Sequence, residues 1–401
     1  MAYTVHIREM ARRKIAVMAK DMSRWETKER IDDEEADFIR KGIRGFAHTT
    51  TAEPFNMGGV DGSGDYPSFS YADSFVYVAS ASGTMYRTDA THGLVEVKAL
   101  EEPALEFIWL PENTDEAMIR WLAALEALAG CPPLEVIQQS DYRELKNRMT
   151  HQGHTAVKLL ADLILPRASD TANVGIQLRS TAELGAALRL ITGKTVCRYI
   201  LMDTTFSLPM VTRRELSLFF EHLKRLCCVE ARARDIGFFA LSKSHGLPTM
   251  ELIEGFASDA LGLIAGKVAE HWFIRLPVPG VDAWKFSLAE GRSLPPVGAV
   301  SYLFRLHRNI PVLRLDMDRE FWESRLQNDP VAEAKVFADL DYCGHDQRAY
   351  GYPYPIKACH DRARLSAGER AALKKQIMDA AVAAGMKRHL FRDVSAATGH
   401  L

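Results

Sequence analysis

Residues 197–203 read CRYILMD, a short apolar run entered through Arg198 and closed by an acid. An apolar run of this length bounded by polar residues fits a strand buried on both faces, as in a parallel sheet covered by helices. On either side the texture turns helical. Residues 176–191 before it and 213–230 after it carry apolar residues at helical spacing, and a second apolar run, IGFFALS at 236–242, follows. Strand and helix in alternation predict an α/β chain.

Toward the N-terminus, residues 5–45 predict helix, with a basic first half and Asp32, Asp33, Glu34 and Glu35 opening a second segment. Residues 69–100 change to β-rich pieces, SFVYVAS, GTMYRTD and LVEVKAL, separated by Gly, Asp and Ser turns, which predicts an antiparallel meander. A helix is expected over 113–129, with Asn113 as its N-cap, and another near 155–165. The stretch of about 101–172 is read as an insertion. Toward the C-terminus, a helix over 249–266 precedes strands in HWFIRL, AVSYLFRL and PVLRLDM, then a helix over 320–338. The turn-rich GYPYPIKA at 351–358 leads into closing helices. With no internal repeat and no long linker, the expected organisation is a helical N-terminal arm at 1–48 followed by one large domain at 49–401.

Composition excludes several classes. Hydrophobic residues at 47% and charged residues at 25% are ordinary for a globular chain and unlike a disordered one. The start has no apolar core before a small-residue cleavage site, and no run approaches the length of a membrane span, so a cytoplasmic protein is expected. Six cysteines without a CxxC pair argue against a disulfide framework or a zinc ribbon, and Cys227 and Cys228 read as buried thiols. The net charge of −2 gives no global footprint for nucleic acid, so any phosphate-binding charge must be local. Arg12 to Lys14, Arg232 with Arg234, Arg362 with Arg364, Lys374 with Lys375 and Lys387 with Arg388 are such clusters, although a solvated helix face is the better explanation of any single one.

The residues suited to chemistry lie far apart in sequence. Asp61, in VDGSG at 60–64, stands where an extended segment is expected to meet a tight turn; Asp-Gly is also a common hairpin signal. Asp203 ends the apolar run and so faces the crevice at the carboxyl end of the sheet, unless it serves only as a helix cap. Glu183 lies in a helix beside small residues at 182, 185 and 186, which would let that helix approach the sheet. His360 falls in a helix that Pro353 and Pro355 should start. Acids on an early strand, a helix and a later strand, joined by a histidine, match what cation-assisted phosphodiester hydrolysis needs. Hard cations choose oxygen ligands, and the histidine shifts preference toward Mn²⁺ over Mg²⁺. Lys243 follows the 236–242 strand at the same carboxyl edge, where an ammonium can hold a phosphate. Other motifs fail: Gly193-Lys194-Thr195 has Leu188 where a P-loop needs glycine, His151 and His154 have no third ligand nearby, and neither GxSxG nor HExxH occurs.

Taken in order, these pieces resemble the NurA nuclease family. The resemblance is carried by VDGSG, Arg179 with Glu183, LMDTTFSL, FFALSKS, the late strands ending Arg314-Leu315-Asp316, and GYPYPIKACH, from about residue 58 to 366. It implies a ribonuclease-H-like mixed sheet flanked by helices. It also implies a homodimer that degrades DNA with Mn²⁺ or Mg²⁺, as exonuclease and single-strand endonuclease, alongside a HerA-type hexameric ATPase in end processing, repair or antiphage defence. Residue by residue, it implies Asp61, Glu183, Asp203 and His360 as the metal and catalytic set, with Lys243 and Tyr352 in support. Two departures stand out: Thr204-Thr205 follows the second acid where Gly-Ser is expected, and 101–172 has no counterpart. Two other readings compete. One is a non-catalytic adaptor docked on a ring ATPase. The other is an actin-like or hexokinase-like phosphotransferase, which would need a second Asp-Gly phosphate loop that the chain lacks.

Overall fold

The structure, a computed structural model, describes residues 2–25, 31–48, 50, 53–64, 69–71, 74–91, 93–99, 104–110, 114–142, 171–207, 218–245, 247, 250–264, 267–287 and 294–392. Helices α1 (Ala2–Trp25) and α2 (Asp33–Gly42) lead into strands β1 (Arg44–Gly45), β2 (Asn56–Ser63), β3 (Phe69–Tyr71), β4 (Ser74–Asp89), β5 (Gly93–Ala99) and β6 (Ala104–Leu110). Next come helices α3 (Thr114–Ala129), α4 (Pro133–Gln139) and α5 (Thr171–Thr192), then β7 (Tyr199–Met202), α6 (Leu218–Ala233), β8 (Gly237–Ser242) and α7 (Met250–Ala260). The chain closes with β9 (Trp272–Arg275), β10 (Ala299–Arg305), β11 (Leu313–Asp318), α8 (Arg319–Arg325), α9 (Pro330–Gly344), α10 (Tyr354–Ala363), α11 (Ala367–Ala383) and β12 (Phe391–Arg392). The helix expected near 155–165 lies outside the described residues, as does Asn113.

The strands form one 12-stranded sheet in the order β1-β9-β10-β11-β8-β7-β2-β4-β3-β12, with β5 and β6 paired along the other edge of β4. Pairing is antiparallel except at the centre, where β2, β7 and β8 run parallel. The α/β expectation therefore holds, and a mixed sheet flanked by helices is consistent with a ribonuclease-H-like core. Apolar runs made these central strands legible, because both faces are covered. Ile200 and Met202 of β7 join one core with Phe238, Leu178 and Leu223, whereas Tyr199 and Leu201 join the opposite core with Phe239, Leu315 and Phe337.

Three local readings change. SFVYVAS and GTMYRTD form one continuous 16-residue strand, β4, rather than two strands and a turn. Gly83 is not a turn residue: it stands opposite Val60 in the β2 ladder, within a run of small residues from Ala79 that leaves room for helices on the sheet faces. Part of the expected insertion is built into the sheet, since β6 pairs with β4 from Phe75 to Ala81 and α3 packs on α5. The helix over 320–338 is two helices, because Pro330 starts a new one and Asp329 caps it by accepting from the amides of Val331 and Ala332.

One charged network ties these layers together. The Arg225 guanidinium, 1% exposed, reaches both carboxylate oxygens of Asp141 at 2.6 and 2.8 Å and Asp318 at 2.7 Å, while Arg232 also contacts both acids. Removing one partner of such a buried pair costs roughly 3–5 kcal/mol. The basic residue Arg232 is therefore committed to the fold. Cys227 and Cys228 are fully buried as expected, and burial pushes the Cys228 thiol up to about 12. Among the described residues, no helix is long and apolar enough to cross a membrane.

Candidate metal centre

Parallel β2, β7 and β8 end at the same edge, where ladder hydrogen bonds stop and side chains face a crevice. Asp61 lies inside β2, opposite Ser82, and not at a tight turn: the Asp-Gly doublet stays extended because its ladder with β4 continues to Ser63 opposite Ser80. The glycines here make room. A Cβ at Gly62 would lie 2.7 Å from Cγ of Glu183, and one at Gly59 would lie 2.4 Å from the carbonyl of Pro355. Helices α5 and α10 therefore press on opposite faces of β2.

Helix α10 is fixed from below. Cys359 Sγ lies 2.8 Å from the Gly59 carbonyl oxygen, and Thr84 Oγ1 donates to the Pro355 carbonyl at 3.2 Å. With Cys359 held inward, the next residue, His360, reaches Asp61, its Nδ1 2.7 Å from Oδ2. The other oxygen of Asp61 accepts from the Gly62 amide at 2.8 Å, with Arg179 Nη2 at 3.5 Å. Burial raises the Asp61 pKa, the hydrogen bonds from His360 and Gly62 oppose that, and the neighbouring Asp203 carboxylate pushes it further up.

Asp203 is the first residue after β7, and its amide points to the Val60 carbonyl at 3.4 Å. Its Oδ1 accepts from the Tyr352 hydroxyl at 3.0 Å, and its Oδ2 lies 3.5 Å from Lys243 Nζ, which also sits 4.2 Å from the Tyr352 ring centroid. Burial, followed by the charge of Asp203, holds the Tyr352 phenol well above its ordinary pKa, so it stays a donor. Asp61, Asp203 and His360 each offer one ligand atom, all within 4.8 Å of one another. This set suits a divalent cation: two oxygen donors and one imidazole fit Mg²⁺ or Mn²⁺ better than a thiolate-seeking metal. Asp61 is only 2% exposed, and two adjacent carboxylates gain from a shared cation.

Glu183 stands one step back. It is outside that ligand group, and its Oε1 accepts from Arg179 Nε at 2.7 Å, so Arg179 links it to Asp61. The small residue at 185 serves a different contact from the one expected: a Cβ there would meet the Leu128 carbonyl oxygen at 2.0 Å, so Gly185 admits the end of α3. Asp316, fully buried, accepts from the Phe206 amide at 2.9 Å and Ser301 Oγ at 2.6 Å, and Arg314 bridges it to Ser207. It thereby pins the turn that carries Asp203. Arg362 is paired with Glu96.

A second ligand group, His48, His271, Asp341 and His345, is not among the residues the sequence singled out. Its one local signal is the four-residue spacing of Asp341 and His345 on a helix.

No protein-family profile and no curated protein matches the chain. The chain is similar to solved NurA nuclease structures. The NurA nuclease from Sulfolobus solfataricus is 13% identical, with 90% of this chain and 93% of that one covered and a TM-score of 0.44. A second NurA structure is 12% identical, covering 95% and 99% at a TM-score of 0.41. A NurA bound to dAMP and manganese is 12% identical, covering 90% and 94% at 0.36.

Proposed function

We propose that the chain is a metal-dependent nuclease that hydrolyses DNA phosphodiester bonds at the Asp61, Asp203 and His360 centre. The observation that carries this reading is the meeting of those three ligand atoms within 4.8 Å at the carboxyl ends of parallel strands, with Lys243 and Tyr352 on Asp203. When bound there, a divalent cation lowers the pKa of a coordinated water and neutralises charge on the phosphate. The chain's own groups do the rest. With Asp61 ionised, His360 donates from Nδ1 and keeps its lone pair on Nε2, which suits it to hold a ligand or take a proton. The Tyr352 hydroxyl fixes the rotamer of Asp203, and the Lys243 ammonium, 45% exposed, is available to a phosphate oxygen beside it. Glu183 orients Arg179 toward Asp61.

The full reading is a Mn²⁺-dependent exonuclease and single-strand endonuclease in the cytoplasm. It works as a homodimer with a HerA-type hexameric ATPase in end processing, repair or antiphage defence, with an arm at 1–48 and a nuclease domain at 49–401. Exposed apolar residues along α1, such as Met10 at 58%, Met18 at 55% and Met22 at 57%, support an arm that a partner covers. The test is label release from 5′- and 3′-labelled linear DNA in Mn²⁺, Mg²⁺ or EDTA, with Asp203→Ala in parallel. Mn²⁺-dependent release that the variant lacks is expected, and the labelled end gives the polarity. No cleavage even with a cognate ATPase, together with stoichiometric binding to it, would replace the nuclease with an adaptor.

A further inference from the structure

Four side chains meet where the N-terminal segment joins the sheet edge, with β10, β11, β8 and β7 lying between this edge and β2. His48 follows β1, His271 precedes β9, Asp341 lies in the last turn of α9 and His345 caps that helix. One ligand atom from each lies within 4.8 Å of the others. Asp341 is the hub. Its Oδ2 is 2.7 Å from His48 Nδ1, and its Oδ1 is 3.1 Å from His345 Nδ1 and 3.5 Å from His271 Nε2. The carboxylate is fully buried, and its ion-pair partners among the described residues are these three imidazoles.

Two observations point to a ligand rather than to a self-sufficient hydrogen-bonded cluster. Asp341 Oδ1 and His271 Nε2 face each other 3.5 Å apart while buried, without the geometry of a direct hydrogen bond, and a cation held between them would satisfy both. His345 Nδ1 lies 2.9 Å from the Asp341 carbonyl oxygen, which can only accept, so Nδ1 is the donor there and Nε2 is the nitrogen open to a metal. The backbone is set for this too. His271 is held in the left-handed region at φ 58°, with its amide bonded to the Arg305 carbonyl and its own carbonyl to the Phe46 amide, both at 2.9 Å. The His48 ring lies 5.0 Å from that of His271 and 4.2 Å from that of His345, centroid to centroid.

We infer that His48, His271, Asp341 and His345 form a second metal site that takes one zinc-class divalent transition-metal ion. Three imidazoles and one carboxylate are ligands of zinc chemistry, and bonds of about 2.0–2.2 Å in a tetrahedron set donors about 3.4 Å apart, comparable with the 3.5 Å between Asp341 Oδ1 and His271 Nε2. Four protein ligands close the shell, so the ion is structural. It clamps residues 46–48 to β9 and to the end of α9, and is independent of the chemistry at Asp61.

The test is metal analysis of untagged full-length protein after exhaustive dialysis. The expected content is about one zinc per chain, retained in the Asp61→Asn, Asp203→Asn double variant and lost in His345→Ala and in His48→Ala. His48 is 35% exposed, so its replacement leaves the apolar core intact. Chelation should lower the melting temperature of the wild type, and Zn²⁺ should restore it, with no response in His48→Ala. Wild-type protein that neither carries zinc nor takes it up from added Zn²⁺ would overturn the inference, as would His48→Ala that keeps a full equivalent.

Discussion

The two ligand clusters differ in what surrounds them, and the difference separates chemistry from architecture. At Asp61 and Asp203, carboxylates outnumber the imidazole, the cations Arg179 and Lys243 stand beside them, and the His360 side chain is 43% exposed. At Asp341, imidazoles outnumber a single carboxylate that solvent does not reach. The first cluster stands at strand ends, where a substrate can approach. The second is made from three chain segments around a buried acid and has no position left for a substrate. Oxygen-rich and open fits a reacting centre, whereas nitrogen-rich and closed fits a staple.

The comparison can be broken most sharply at Gly59. Alanine there would drive a Cβ to 2.4 Å from the backbone of Pro355 and lift the helix that carries His360. We expect cleavage to fall by about 10²-fold and stability by about 1–3 kcal/mol, with zinc content at His48 unchanged; unaltered single-turnover rates would show that α10 does not position the centre. Next in size are Lys243→Ala and Tyr352→Phe, each removing one contact to Asp203. A drop of about 10-fold in kcat is expected for each, as befits a single charge-assisted or buried hydrogen bond, whereas an effect confined to KM would place Lys243 in uniform DNA binding.

The smallest expected effect sharpens the electrostatic side. The pKa of Asp61 is raised in the fold, so the folded state holds its proton more tightly than the unfolded chain does. Without metal, that group therefore loses stability as pH rises from its ordinary value of 3.8 through the raised one, and the penalty persists above it. Asp61→Asn in EDTA should melt about 1–2 °C higher than wild type at neutral pH and show no gain below pH 3.8. An equal shift at both pH values would assign the effect to packing.

What the sequence could show depended on whether each signal was local. The strands around Asp203 and Lys243 were legible because both sheet faces are covered and the runs are apolar throughout. Asp203, Lys243 and His360 each follow a recognisable strand or proline start, and the structure brings Asp203 and His360 beside Asp61 and Lys243 beside Asp203. The Asp61-Gly62 doublet misled, because a turn signal and a close helix–strand approach both demand glycine; only the neighbours of Gly59 and Gly62 decide between them. Gly83 misled as well, because it lies inside a continuous strand opposite Val60. The resemblance implies Glu183 as a member of the ligand set; in the structure it lies outside the Asp61, Asp203 and His360 group and accepts from Arg179. The cluster around Asp341 was illegible because its ligands come from residues 48, 271, 341 and 345, and only the last pair shares a helix face.

The most direct test of the account is cleavage of linear DNA in Mn²⁺ by three proteins side by side: wild type, the Asp61→Asn, Asp203→Asn double variant, and His345→Ala. The account predicts at least about 10³-fold loss in the double variant, which strips both carboxylates from the cation, and activity within a few-fold of wild type in His345→Ala below its melting temperature. Full cleavage by the double variant would contradict it.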